Sequence, residues 1–384
     1  MRRPATVMNR PQRSRSRGLS LVEILVASAI GIIASLAIFQ VFAVFEGQKR
    51  TTTSGGEAQT SGTLALFTVE REVRQSGFGM NSVDFLGCAV QGWDQQGGGG
   101  GGAAIAPWAF APIVIAQGTG GTPGVPGTTP TIAGTPDTVT IAYGTGETLP
   151  APVQISVGSL GTTDDFVKVI DTYGFRPGER VVIAESGRPC TMAQVSAVPP
   201  DPLVGGDTQK INLQAAAYID PVTSSLVPTR YNNPAGLGTQ YTTNGKVYNL
   251  GASTSIKVYS IQNAQLIVQA TGAAETPIYD NIAQLQAEYG KDTNADGIID
   301  LFEETPPTNA AQWATVLAVR IALVARSSLY EKEEVSPATI PLWDTSGDAP
   351  TTAGMVWNLT ADERHYRYKV FQTVVPLRNM IWRP

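Results

Sequence analysis

Gly18-Leu19-Ser20-Leu21-Val22-Glu23-Ile24-Leu25-Val26-Ala27 opens a run that carries no charge except Glu23 until Phe45. As a helix rising about 1.5 Å per residue, Leu19 to Phe45 is roughly 40 Å long. That length crosses a hydrocarbon layer of about 30 Å. Its only polar side chains are Ser20, Glu23, Ser28, Ser35 and Gln40. A lone carboxylate at bilayer depth costs roughly 2.5 to 3.5 kcal/mol on insertion scales, so Glu23 calls for a partner or a function. A secretory signal would end in a small-x-small cleavage site, but Ala27-Ser28-Ala29 falls in the middle of the run, which disfavours that cut.

On the N-terminal side, residues 1–18 read as a leader that does not pack: Pro-broken and without apolar periodicity. Arg2, Arg3, Arg10, Arg13, Arg15 and Arg17 hold it on the cytoplasmic side. On the other side the pattern turns amphipathic after Glu46, with Leu66, Val69 and Val73 at helical spacing and Gly77 as a stop. One helix is expected over 19–77, loosened between Thr51 and Gly56 by the Gly55-Gly56 pair. Residues 78–384 should form a β-rich globular domain. It includes a Gly/Pro-rich insert at about 95–136, with a linker from Gly118 to Pro136. Alternating runs predict strands around Val139–Tyr143, Val167–Ile170, Val181–Ile183, Ile211–Leu213 and Ile256–Ile261, and most clearly around Leu317–Leu323 and Tyr366–Val370. The expected fold class is α+β, a long transmembrane helix followed by a β-rich domain.

Removing the six leader arginines takes the formal charge from -5 to -11, so the remaining chain has no general basic field for nucleic acid. His365 is the sole histidine, which limits imidazole chemistry; its His-Tyr-Arg-Tyr-Lys setting reads as a half-exposed strand or, alternatively, a base-stacking face. Gly-x-Ser-x-Gly and phosphate-loop motifs do not occur in the sequence, and no catalytic set is expected. Cys88 and Cys190 pair as a disulfide if the domain is exported; two buried thiols are the alternative.

Asp292-Thr293-Asn294-Ala295-Asp296-Gly297-Ile298-Ile299-Asp300-Leu301-Phe302-Glu303 fits a twelve-residue calcium loop. Asp292, Asn294, Asp296, Asp300 and Glu303 would offer side-chain oxygens and Ile298 its carbonyl, with Gly297 at the sharp turn. Pro306-Pro307 leaves little room for an exiting helix, so a lone loop between strands is expected. A solvated acidic turn is the alternative. Calcium, Ca2+, is the cofactor the spacing points to, bracing the segment from Trp313 to Arg326.

Arg17-Gly18 followed by Leu-Ser-Leu-Val-Glu and the long apolar helix resembles the prepilin signature of the type IV pilin superfamily. The resemblance implies cleavage between Gly18 and Leu19 by prepilin peptidase, methylation of the new Leu19 amine, and pairing of Glu23 with the amine of a neighbouring subunit. Leu19 departs from the usual phenylalanine. Leu66–Phe78, Trp313 with Val316–Ile321, and Val375-Pro376-Leu377-Arg378-Asn379 resemble the PilW family of minor pilins. The implied role is non-enzymatic: pilus assembly or initiation, supporting adhesion, twitching motility or DNA uptake. Implied partners are other minor and major pilins, the prepilin peptidase and methyltransferase, and the inner-membrane assembly platform. Direct nucleic-acid binding is not expected. The implied location is the inner membrane with a periplasmic domain, then the pilus or cell surface. A type II secretion pseudopilin, or a membrane-tethered enzyme or glycan-binding module, are the other classes the sequence leaves open.

Overall fold

The computed structural model describes residues 20–80, 82–96, 102–124, 129–146, 151–156, 160–201, 206–271, 273–343 and 354–381. They fall into two compact units, one ending at Thr53 and one beginning at Ser54. The fold is α+β, as the sequence patterns predict: a long apolar N-terminal helix and a β-rich domain.

In the first unit the helix begins at Leu21, and its apolar side chains from Leu21 to Phe45 are exposed. The hydroxyls inside this run are satisfied within the helix: Ser28 donates to the Ile24 carbonyl at 2.6 Å and Ser35 to the Gly31 carbonyl at 2.8 Å. In lipid, where water cannot take those bonds, such back-bonding lets serine sit in a spanning helix. Thr51 and Thr52 bond back to the carbonyls of Gly47 and Gln48 in the same way. The helix runs from Leu21 to Gln75, and the division between the two units falls at Thr53–Ser54, within the stretch expected to be loosened.

In the second unit the helix buries Ser54, Ala58, Gly62, Ala65, Val69, Glu72 and Val73, a stripe at three- and four-residue spacing. Small residues come first, because the sheet beneath approaches closely. A Cβ on Gly62 would lie 2.2 Å from the ring of Phe371. The sheet runs Leu301–Glu303, Ile282–Lys291, Val316–Arg326, Tyr368–Pro376, antiparallel throughout. Its register puts Leu285, Ala287 and Tyr289 beside Leu323, Ile321 and Val319, and these beside Phe371, Thr373 and Val375. Alternate residues of one strand share one face, so this row forms the apolar side. Most of it lies in the same core as Ala65, Val69 and Val73. Val69 and Val73 are completely buried, each contributing at most about 1.5 to 3 kcal/mol.

The opposite face of the same sheet is also covered. Ala322 and Val324 pack with Ile340, Leu342, Trp343, Met355 and Trp357 of a small sheet built from Thr339–Trp343, Met355–Asn358 and Thr131–Ala133. Here Arg320 and Glu288 form an ion pair with both side chains about 5 % exposed or less, the guanidinium 4.4 Å from the ring centroids of Phe302 and Trp343.

Three two-stranded ribbons, Phe166–Lys168 with Lys210–Asn212, Ala217–Ile219 with Leu226–Pro228 and Trp93–Asp94 with Ala103–Ala104, accompany two larger sheets among the described residues. One runs Thr276–Asp280, Gln265–Ala270, Ser255–Gln262, Thr138–Tyr143, Ile113–Ala116. The other runs Trp108–Ala109, Ala89–Gln91, Cys190–Gln194, Arg180–Ala184, Lys246–Gly251, Val153–Gln154. Its central strands are buried on both faces: Val182, Cys190, Tyr248 and Leu250 enter the main core, whereas Val181, Ile183, Ala193 and Val247 enter a second one.

The stretch expected as a linker, Gly118 to Pro136, is packed structure where it is described. Thr131–Ala133 is a strand, and Thr122 bridges Ile132. Its glycines permit backbone to lie on backbone: a Cβ on Gly118 would sit 1.7 Å from the Thr135 carbonyl oxygen.

Candidate functional site

Ser20 and Glu23 make the helix start. The Ser20 amide donates to Glu23 Oε2 at 2.8 Å, and the Glu23 amide donates to Ser20 Oγ at 3.2 Å. This is a reciprocal capping box, which satisfies two of the amides a helix N-terminus leaves open. The Ser-x-x-Glu spacing signals it in the sequence, and a reading of Glu23 as a purely intermolecular acid passes over it. Gly18 and Leu19 lie outside the described residues.

The other end of the helix carries a polar cluster. Glu72 is buried, 3 % exposed, with Oε2 at 2.8 Å from Lys257 Nζ and 2.9 Å from the Tyr143 hydroxyl that donates to it. Burial alone would raise its pKa. Hydrogen bonds from Lys257 and Tyr143, with the charges of Lys257 and Arg71, outweigh that and leave it below the ordinary carboxylate value. Beyond Gln75 the Gly77 amide turns to the Ala142 carbonyl at 2.9 Å, with Gly77 at φ +75°. Asn379 Nδ2 donates to the carbonyls of Gln75 and Ser76, at 3.4 and 2.9 Å. The C-terminal Val375–Asn379 motif thus ends on a cap for the N-terminal helix.

The acidic loop joins Ile282–Lys291 to Leu301–Glu303 as a hairpin. Its side chains shape its backbone. Asp292 accepts from the amides of Ala295 and Gly297 at 2.6 and 2.8 Å. Asn294 accepts from Asp296 N at 2.9 Å, and Asp296 from Ile298 N at 2.8 Å. Asp300 takes the Thr293 hydroxyl at 2.9 Å, and Glu303 pairs with Lys291 Nζ at 2.5 Å. Among the described residues no three His, Cys, Asp or Glu side chains converge as a metal set.

Cys88 and Cys190 are joined as a disulfide with Cα atoms 5.9 Å apart, tying the start of the domain to the parallel pair Ala89–Gln91 and Cys190–Gln194. His365 stacks on Tyr330 with centroids 4.6 Å apart, and its Nδ1 meets the Glu331 carbonyl at 2.7 Å. Arg367 is held by the Glu331 carboxylate and is not a free cation.

An exposed helix long and apolar enough to cross a membrane, leading into a β-rich domain, defines the class: an α+β protein with a membrane-length N-terminal helix. Residues 247–379 match the PilW family, described as type IV pilus-assembly protein W. The match covers about a third of the chain and supports a part for it in type IV pilus assembly. The matched span contains Trp313–Ile321 and Val375–Asn379 but not Leu66–Phe78. No curated protein and no solved structure matches the chain.

Proposed function

We propose that this chain is a minor pilin, made with residues 1–18 as a leader, cut between Gly18 and Leu19 and methylated on Leu19. It is held in the inner membrane with its domain in the periplasm, and transferred into a type IV pilus among other minor and major pilins. The observation that carries the reading is the position of Glu23: the one acid of the exposed apolar run from Leu21 to Phe45, at the turn where the cut would create an amine. A charged amine and a carboxylate, each costly alone in lipid, offset one another when adjacent subunits pair them. The protein acts as an assembly subunit and carries no reaction.

The capping box makes the test sharper, because Glu23→Gln keeps an acceptor for the Ser20 amide and removes the charge. In competition with the wild-type chain, Glu23→Gln and Glu23→Ala should both be cleaved normally and both enter pili poorly. Normal entry of Glu23→Gln would show that Glu23 only caps its own helix and would sink the pairing. Loss of secretion with piliation intact, on deletion of the gene, would place the chain among pseudopilins.

We also propose that Asp292, Asn294, Asp296, the Ile298 carbonyl, Asp300 and Glu303 take calcium. The twelve-residue spacing supports this, and binding must draw Glu303 away from Lys291. Calcium should raise the thermal midpoint of the wild-type chain and leave that of Asp296→Ala unchanged. Equal midpoints in calcium and in chelator would overturn it.

A further inference from the structure

The segment outside the family match contains a pocket of about 310 Å3, whose lining residues all lie between Gln91 and Gly238. One part of its wall is apolar, from Trp93, Ile105 and Met192. Against these stand five polar side chains, of which Thr191 and Asn232 are hydrogen-bonded to the protein, leaving Gln91, Asp165 and Asn233. The carboxylate of Asp165, the amide of Gln91 and Nδ2 of Asn233 make no hydrogen bond among the described residues, since Asn233 uses only Oδ1, on Ala235 N. These are donors and acceptors left open beside apolar surface, the composition of a small-molecule site.

The walls are held rigidly. Gln91 pairs with Thr191 across the parallel strands, and the Cys88–Cys190 disulfide closes the same pair one step away. The loop carrying Asn233 is fixed through Asn232, whose carboxamide accepts from Gln194 N at 2.6 Å and donates to the carbonyls of Gln194 and Gln214, both at 2.8 Å. A site fixed before its ligand arrives loses less entropy on binding.

Charge narrows the ligand. Asp165 is the only charged lining residue, with no Lys, Arg or His, so an anion would meet a bare carboxylate. A purely apolar ligand would strand three polar groups without water. A neutral sugar ring meets both conditions, with C–H surface for Trp93 and Ile105 and hydroxyls for Asp165, Asn233 and Gln91. We propose that this pocket binds one neutral pyranose unit of a glycan, which would give the pilus protein a recognition site separate from the segment shared with its family.

The test uses the full chain in a polyoxyethylene detergent, because maltoside detergents would themselves present a sugar. Saturation-transfer NMR would be recorded with glucose, galactose, mannose and N-acetylglucosamine, and with glucuronic acid as the anion. At least one neutral sugar should bind saturably, and Asp165→Asn and Asn233→Ala should each weaken it at least about ten-fold. Unchanged thermal midpoints in both variants would separate lost recognition from lost folding. Failure of all four neutral sugars to saturate, equal binding of glucuronic acid, or wild-type affinity in both variants would each overturn the proposal. Pilus entry of the two variants should remain normal, so this result stands apart from the assembly reading.

Discussion

Asp137 is 2 % exposed, yet both its oxygens are in use: Oδ1 accepts from Gly118 N at 2.9 Å and Oδ2 from Ala287 N at 2.8 Å. Burial raises its pKa to about 7, the two amide bonds pull only partly against that, and the nearby Glu304 carboxyl pushes further up. Glu304 is itself raised by burial. A raised acid holds its proton in the folded state after the unfolded chain has released it. Stability from this source is therefore greatest below the ordinary value of 3.8 and is lost as pH rises to about 7. The span corresponds to at most roughly 4 kcal/mol. Wild type should unfold at lower denaturant at about pH 8 than at about pH 5. Asp137→Asn, neutral at both, should lose much of that difference and keep only the smaller slope from Glu304. Equal pH slopes in the two proteins would show that Asp137 does not carry the effect. Nothing in the sequence around Asp137 marks it, because its burial is made by segments distant in the chain.

Among the elements, the helix and the sheet beneath it show which patterns are legible in a sequence. The stripe from Leu66 to Val73 follows the helical period and is read directly, as is the alternation at Val316–Arg326. Ile282–Lys291 is harder. Its Gln284, Gln286 and Glu288 alternate with apolar residues as in a strand with one wet face, but this face is dry. Gln284 and Gln286 donate to the carbonyls of Gly134 and Thr135, and Glu288 takes Arg320, so polar residues are buried because their partners come from afar. Glycine is ambiguous for the same reason. Gly55 and Gly56 look like a break, but a Cβ at either would meet nothing within 4 Å, whereas Gly62 lies against Phe371. Gly56→Ala should therefore stabilise the domain by about 0.5 to 1 kcal/mol, the helix-propensity gain. Gly62→Ala has the same gain against an overpacking cost of about 1 to 3 kcal/mol, for a net loss. Urea midpoints of the two variants moving in the same direction would contradict this packing account.

For the whole molecule, the long apolar N-terminal helix and the family-matched C-terminal part were legible because each rests on local pattern. The central region was legible in part: the alternating runs at Val139–Tyr143, Val167–Ile170, Val181–Ile183 and Ile211–Leu213 fall on strands, whereas shorter strands such as Val153–Gln154 and Trp108–Ala109 gain their order from neighbours far along the chain. The division at Thr53–Ser54 yields the last prediction. A chain beginning at Ser54 keeps the buried stripe from Ser54 to Val73, Glu72 with its Lys257 and Tyr143 partners, and the helix carbonyls that Asn379 caps. It also drops the exposed apolar run that demands lipid or other helices. This chain should be soluble without detergent, retain the Cys88–Cys190 disulfide and unfold in one transition. A chain beginning at Gly77 loses Val69 and Val73 from the core and leaves Lys257 without its acid. Two valines at about 1.5 to 3 kcal/mol each already approach the 5 to 15 kcal/mol that holds a typical domain together. It should aggregate or show no cooperative transition. Size-exclusion chromatography with urea titration decides between them. A Gly77 chain as stable as the Ser54 chain would mean that the helix only rests on the domain, and an insoluble Ser54 chain would mean that the domain's core extends N-terminal to the division.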